Sequence, residues 1–444
     1  MTANAGYHAY ATGDVLTAAQ VQYNLQNQTV MYFATTTARD AALTGAILVE
    51  GMVSYTPATG VMYYNGTAWT AVGGSSSPLT TKGDLYTYST TNARLAVGSN
   101  GQTLVANSGG TTGNAWQDPV QQNPVLNSAM QVWQRGTSVS IAASTSVAYS
   151  ADRWVTTTGA NQAITISRQA TSDTTNLPNI QYALRFQRNS GQTGTTAMNF
   201  GQPFETINSI PFAGKTVTLS FYARAGANYS AASSALGASV TTGTGTDQNW
   251  LTSYTGAAYP VGGTATLTTT WQRFSYSGTI AATATELTPY FYFTPVGTAG
   301  TNDYYEVTGV QLEVGSVATP FHTFSTTIQG ELAACQRYYF RNTATGGACA
   351  PMAVSGATSS TTNFIGIVVY PISMRVSPTS AEFSTLQIVD SAAGAYSVTA
   401  VAIVFAGQMT AQLDFNCTAA TASRAGWVRA NNSTSAYFAL SAEL

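Results

Sequence analysis

Acid–base and nucleophilic chemistry need particular side chains at particular spacings, and this chain carries few of them. It holds two histidines, His8 and His322. Neither stands beside a serine or cysteine motif of the GxSxG kind, so a catalytic triad has no support, and His322 reads as a structural hydrogen-bonder. Cleavage of a glycosidic bond would need two flanking carboxylates. The candidates Asp152, Asp173, Glu205, Asp247, Glu286, Asp303, Glu306 and Glu313 are scattered rather than paired. Asp152 beside Arg153 reads as a structural ion pair, and Glu313 as a strand residue. Thr301-Asn302-Asp303 offers hard oxygen ligands without the spacing of a calcium loop. The three cysteines, Cys335, Cys349 and Cys417, cannot pair evenly and show no CxxC spacing. They are expected to be small buried hydrophobes, with no disulfide framework, zinc site or cofactor.

Aromatic residues offer more. A sugar ring stacks its apolar C–H face on an indole or phenol while its hydroxyls bond to Asn, Gln and Asp. Trp250 sits in the polar, turn-rich stretch Asp247-Gln248-Asn249-Trp250-Leu251-Thr252-Ser253-Tyr254. Trp250, Asp247, Asn249 and Tyr254 are therefore the candidate glycan-binding residues, with Tyr229 and Tyr259 nearby as weaker ones. The plainer alternative is that Trp250 caps a sandwich or packs on a neighbouring chain. Trp133, Trp154 and Trp271 fall in strand-like segments and read as core. Asn431, Asn432 and Tyr437 are candidates for exposure at a tip.

Composition bounds what can hold these residues. The 444 residues carry 16 Lys+Arg and 18 Asp+Glu, or 8% charged, where a soluble domain has roughly 25%. Thr, Ser, Gly, Ala, Asn and Gln must solvate the surface instead. With 44% hydrophobic and 11% aromatic residues the chain is not disordered. A net charge of −2 gives no basic field for phosphates, so nucleic acid is not an expected partner. No stretch approaches the roughly 20 apolar residues of a membrane span, so no membrane insertion is expected. Met1-Thr2-Ala3-Asn4-Ala5-Gly6 lacks the basic and apolar regions of a signal peptide, which points to assembly in a cytoplasm.

Along the chain the signals are mostly those of strands. Thr17-Ala18-Ala19-Gln20 is a capping box, and Val21 and Leu25 lie four apart, which predicts a thin helix within residues 1–30. Residues 31–72 read at period two, with a turn at Pro57-Ala58-Thr59-Gly60 and a tight one at Asn65-Gly66. Residues 73–78 form a Gly/Ser linker. Residues 79–118 give four short strands with too little core for one chain, and three copies winding together would bury Leu85, Leu95 and Leu104. Residues 119–324 show strand patterns at 138–143, 164–168, 181–187, 216–223, 271–278, 289–294 and 304–313, as in a jelly-roll sandwich. Val217, Leu219 and Phe221 mark one buried face. A second capped segment places Ile328, Leu332, Cys335 and Tyr339 on one face of a connecting helix within 325–340. Residues 341–444 return to strands at 364–370, 384–389, 397–404, 408–416, 426–429 and 436–441, with alternation such as Ile365, Ile367, Val369.

Two motif groups, Asn123-Pro124-Val125-Leu126-Asn127-Ser128-Ala129-Met130-Gln131-Val132-Trp133-Gln134-Arg135-Gly136-Thr137 and Tyr149-Ser150-Ala151-Asp152-Arg153-Trp154, resemble a module of tailed-bacteriophage tail proteins. The resemblance resumes at Gly309-Val310-Gln311-Leu312-Glu313-Val314-Gly315 through Thr319-Pro320-Phe321, at Ala334-Cys335-Gln336-Arg337-Tyr338-Tyr339, at Met374-Arg375-Val376-Ser377-Pro378-Thr379, and at the closing Phe438-Ala439-Leu440-Ser441-Ala442-Glu443-Leu444. It covers roughly 123–444. Thr35-Thr36-Thr37-Ala38-Arg39-Asp40 and Tyr64-Asn65-Gly66-Thr67-Ala68-Trp69 are similar, less specifically, to virion-attachment segments of minor tail proteins and fibres. One departure is Phe321-His322-Thr323-Phe324, where such segments often carry a second charge after Pro-Phe.

The resemblance implies a homotrimeric virion protein with a carbohydrate-binding-like jelly roll and a distal domain facing the host. The expected fold is mainly β: an elongated homotrimer with small intertwined β modules, a jelly-roll β-sandwich, a C-terminal β domain and two short helices. The expected function is structural and adhesive, in a tail fibre or minor tail protein that binds a host-surface glycan without catalysis. Its partners would be copies of itself, other tail or connector proteins through the N-terminal segment, and the host glycan. The alternatives are a head, neck or tail decoration fibre without a receptor, and a polysaccharide-cleaving tailspike.

Overall fold

A computed structural model describes residues 12–13, 15, 17–21, 30–45, 48–72, 77–88, 90–99, 102–117, 123–143, 147–158, 162–177 and 179–444. His8, positions 22–29 of the expected first helix and most of the expected linker lie outside the described residues. The chain divides into two compact units, Met1–Gly98 with Ser108–Asn114, and Ser99–Asn107 with Ala115–Leu444.

In the first unit, helix α1 (Ala18–Val21) precedes a four-stranded sheet of β1 (Val30–Tyr32), β2 (Val53–Thr56), β3 (Gly60–Tyr64) and β4 (Trp69–Ala71), in that order. The two turns read from sequence are present, and Gly66 has φ +88°. The uninterrupted period-two reading of 31–72 needs correction. β1 pairs with β2 in parallel, a geometry that requires a crossover, and helix α2 (Thr36–Ala42) supplies it. The Thr35 hydroxyl accepts from Ala38 N at 3.1 Å and caps this helix. A hairpin of β5 (Leu85–Tyr88) and β6 (Asn92–Leu95) follows, tied by Arg94 to Asp84 at 2.6 Å.

The second unit includes a ribbon of β7 (Thr103–Ala106) with β8 (Asn114–Gln117). Leu104 on it is 45% exposed. Next comes the jelly-roll sandwich. Its strands are β9 (Ser138–Ile141), β10 (Val147–Tyr149), β11 (Val155–Thr157), β12 (Ile164–Ala170), β13 (Tyr182–Arg188), β14 (Met198–Gly201), β15 (Thr216–Ala225), β16 (Ala235–Gly243), β17 (Ala258–Thr266), β18 (Gln272–Thr279), β19 (Glu286–Phe293) and β20 (Tyr304–Val314). One sheet has the order β10-β11-β14-β19-β16-β17 and the other β18-β15-β20-β13-β12-β9. Helix α3 (Thr206–Ser209) lies between β14 and β15. Val217, Leu219 and Phe221 are fully buried between the sheets, as their alternation predicts. Around them Trp154 stacks on Phe200 at 4.5 Å, and Phe221 meets Phe291 edge-on at 4.8 Å. Trp133, Trp154 and Trp271 are all core, although Trp133 sits in a turn rather than a strand.

Helix α4 (Ile328–Gln336) begins at Thr327, whose hydroxyl accepts from Gly330 N at 3.2 Å. The expected helical face is corrected at both ends. Ile328 is 48% exposed, and Tyr339 already belongs to β21 (Tyr339–Thr343). The terminal domain adds β22 (Pro351–Thr358), β23 (Asn363–Val369), β24 (Ser380–Ser384), β25 (Leu386–Asp390), β26 (Ala395–Ser397), β27 (Ala400–Ala406), β28 (Thr410–Asn416), β29 (Ala425–Ala430) and β30 (Tyr437–Ser441). They form a sheet β26-β25-β29-β22-β23-β28-β27 and a smaller one β21-β30-β24, which share one hydrophobic core. Cys335 and Cys417 are buried, but Cys349 is exposed and does not fit the expectation.

The chain's end closes onto the sandwich. Glu443 pairs with Arg135 and with the buried Arg153, and Tyr149 donates to the Leu444 carbonyl at 2.8 Å. Arg337 and Tyr338, just after α4, both bond the Glu205 carboxylate. Among the described residues no helix is long and apolar enough to cross a membrane.

Candidate functional site

Strand alternation decides which side chains leave the sandwich. In β19, Leu287, Phe291 and Phe293 point into the core, so Glu286, Thr288, Tyr290 and Tyr292 take the outer face. In β16, Leu236, Ala238 and Val240 point in, and Gly237, Ser239, Thr241 and Gly243 point out. The register then sets Thr157, Asn199, Tyr292, Gly237 and Thr264 in one row across five strands. The next row is Val155, Gly201, Tyr290, Ser239 and Gly262.

Two glycines in these rows make room for rings. A Cβ on Gly237 would come within 2.2 Å of Tyr292 Cζ, and one on Gly201 within 2.9 Å of the Trp250 ring. The rings thus lie against bare backbone. Trp250 belongs to a single 3-10 turn, Trp250–Thr252, which brings its indole 5.4 Å from the Tyr290 ring. Tyr290 stacks on Tyr292 at 5.6 Å, and Tyr259 meets Tyr290 edge-on at 6.5 Å. Four aromatic rings therefore form a continuous platform. Burial raises the Tyr290 phenol above its ordinary value.

Beside the platform lies a cleft of about 550 Å³, lined by Trp250, Tyr290, Tyr259 and Tyr254 together with Thr157, Asn199, Thr241 and Ser253. A lining of rings together with hydroxyl and amide groups suits a ligand with apolar C–H faces and many hydroxyls. A second cleft of the same volume is bordered by Phe204, Phe212, Phe324 and Arg337 beside α4. Its guanidinium at Arg337 is already held by Glu205.

The four sequence-predicted residues separate into two roles. Trp250 and Tyr254 line the cleft, Tyr254 being 4% exposed with its hydroxyl 2.6 Å from Thr288 Oγ1. Asp247 and Asn249 hold the loop instead. Asp247 Oδ1 accepts from Thr206 N at 2.8 Å, and its Oδ2 lies 3.4 Å from Arg375 Nη1. Asn249 Oδ1 accepts from Leu251 N at 2.9 Å, capping the turn that carries Trp250. Of the weaker pair, Tyr259 joins the platform, while Tyr229 packs inward on Phe293 and donates to Ala235 O.

No family model matches this chain, and no curated protein matches it. Solved structures do align with parts of it. A structure described as "CBM4 structure and function" is 19% identical over 30% of this chain and 71% of that one, with a TM-score of 0.22. The CBM22-2 xylan-binding domain from Paenibacillus barcinonensis is 14% identical over 37% of this chain and 92% of that one, with a TM-score of 0.25. A Stig cyclase from Fischerella is 7% identical over 45% of this chain and all of that one, with a TM-score of 0.29.

The scattered carboxylates have structural partners. Asp303 is paired with Arg188 at 2.7 Å, both fully buried, and also accepts from Ser230 N, so both of its carboxylate oxygens are engaged. Glu306 binds Arg185 and Arg224. The expected Asp152–Arg153 pair is not formed. Arg153 reaches Glu443 and the Pro203 carbonyl, whereas Asp152 accepts from Gln134 N and Nε2. Arg153 has φ +72°, a turn that sends neighbouring side chains apart. Burial pushes Asp152 up to about 6. Glu286, raised by burial, accepts from Thr206 Oγ1 and Gln248 N, while its Oε2 has no partner. His322 acts mainly through its backbone, its N–H donating to Gln311 Oε1 and its carbonyl accepting from Asn123.

Sequence reasoning missed Tyr290, Tyr292, Asn199, Thr157 and Thr241. The signal available was the run Tyr290-Phe291-Tyr292-Phe293, whose alternation puts two tyrosines on the face opposite two core phenylalanines.

Proposed function

We propose that the chain is a glycan-binding virion protein, a phage tail fibre or minor tail protein that trimerises and attaches to a host-surface carbohydrate without catalysis. The observation that carries this reading is the ring platform of Trp250, Tyr290, Tyr292 and Tyr259 beside a cleft flanked by Asn199, Thr157 and Thr241. Stacking supplies affinity for sugar faces, and the flanking groups orient hydroxyls. Asp247 and Asn249 position the Trp250 turn rather than touch the sugar.

The described lining of the cleft, of indole, phenol, hydroxyl and amide groups, is that of a binding site. The resemblance of 123–444 to tail proteins supports the virion assignment, with residues 1–30 as the attachment segment and a cytoplasm as the place of assembly. Avidity is the mechanism: three clefts on one fibre, and several fibres on one particle, sum weak contacts into stable attachment. The test is a glycan array probed with the full chain, followed by competition with virions on permissive cells. Saturable glycan binding and blocked adsorption support the reading. A full chain that binds no glycan and leaves adsorption unchanged contradicts it and favours a decoration fibre.

A further inference from the structure

The sheet β26-β25-β29-β22-β23-β28-β27 buries one face against β21, β30 and β24, through Met352, Val354, Phe364, Leu413, Phe415 and Val428. Its other face would ordinarily be polar, since antiparallel sheets facing water alternate apolar and polar residues. Here it is apolar. The register aligns Trp427, Ser355, Ile367, Gln412 and Phe405 in one row across β29, β22, β23, β28 and β27. Trp427 is 41%, Ile367 48% and Phe405 70% exposed, and Val369 on the same face is 66% exposed. Four large apolar side chains exposed on one face of a sheet are a feature of interaction sites.

Two charged side chains share the face, Arg429 of β29 and Asp414 of β28. Neither takes part in an ion pair or a side-chain hydrogen bond among the described residues, and Arg429 Nε and Asp414 Oδ1 are shielded from water without partners. In the sheet they are three strands apart and offset by four residues along the strands, or about 19 Å, too far to satisfy each other. Leaving such groups desolvated and unpaired is costly. One is a donor, the other an acceptor, and both look out of the same apolar surface.

We propose that this face packs against further copies of the same chain, with Arg429 of one copy meeting Asp414 of the next. In a closed ring each copy gives its guanidinium to one neighbour and its carboxylate to the other, so every copy is satisfied and no charged edge remains. Seven strands and about six residues per strand give a projected area of about 600 Å². Side-chain relief raises this toward the roughly 800 Å² per partner of a stable interface. The inference rests on the trimeric reading above for the identity of the partner.

Sedimentation velocity of the full chain tests it, with Arg429→Glu, Asp414→Arg, the double reversal and Phe405→Asp as variants. Wild type assembles, and each single change weakens self-association on the order of thirtyfold or more. The double reversal restores it. Phe405 is exposed, so its replacement leaves the monomer folded, as an unchanged circular dichroism spectrum verifies. If wild type assembles and all variants assemble equally well, the face is wrong while the trimer stands. If wild type is monomeric at every concentration, both are overturned.

Discussion

Gly237 of β16 lies directly beneath the Tyr292 ring of β19, with the two residues paired across the strands and no space for a Cβ between them. The platform therefore depends on a side chain that is absent. Gly237→Val is expected to push the Tyr292 ring off the sheet at a cost of about 1 kcal/mol in rotamer strain. Glycan affinity should fall roughly tenfold, the equivalent of about 1.4 kcal/mol, while the melting temperature changes little. Calorimetric titration and thermal denaturation of the same preparation check both parts.

Trp250→Ala and Tyr290→Ala remove the centre of the platform. Each is expected to cost about 2 kcal/mol of binding, as central aromatic contacts do, or about thirtyfold in affinity. Because Trp250 and Tyr290 touch, the double variant should lose less than the sum of the two. A double-mutant cycle measures the shortfall.

Asp247→Ala acts through the loop. Losing the bonds to Thr206 and Arg375 should expose 244–256 to protease and weaken binding only severalfold, by about 1 kcal/mol. Limited proteolysis with bound and free glycan separates this from a direct contact, because saturating ligand should restore protection to the variant.

Glu443→Ala leaves the Arg153 guanidinium buried, 1% exposed, without its carboxylate. Removing one member of such a pair costs about 3–5 kcal/mol. Chemical denaturation followed by Trp fluorescence should show a clear fall in midpoint, and Glu443→Gln should recover part of it.

Asp152 gives the fold a pH signature. Burial raises its carboxyl from 3.8 to about 6. The folded chain then binds the proton more tightly than the unfolded chain, so this group's contribution is fully present below about pH 4 and is lost as pH rises through about 6. The loss is up to about 3 kcal/mol. Melting temperatures of wild type and Asp152→Asn from pH 4 to 7 should differ in slope, the variant lacking this decline.

The sequence made the core-facing strands legible and the site-bearing sheet nearly illegible. All of β9, β12, β13, β15, β18 and β20 have readable counterparts, because β-branched and aromatic residues alternate along them. In the other sheet only β19 was read. β16 is Ala-Leu-Gly-Ala-Ser-Val-Thr-Thr-Gly, small and glycine-rich because rings lie over it, and that need erases the usual strand signal. The aromatic turn at 247–254 was visible through Trp250 and its polar neighbours. Its tyrosine partners were not, since Tyr290 reaches Trp250 only through the pairing of β14 with β19. Ile365, Ile367 and Val369 show the reverse problem. Their alternation is that of a strand, but it is Phe364 and Val368 that face the core.

The most direct measurement is equilibrium binding of the full chain to oligosaccharides released from the envelope of cells that it coats, comparing wild type with Trp250→Ala/Tyr290→Ala. Saturable binding by wild type, lost by at least a hundredfold (about 3 kcal/mol) in a double variant that keeps its melting temperature, is the predicted result. Equal affinity in the two proteins would show that the glycan sits elsewhere and that the aromatic cleft is not the site.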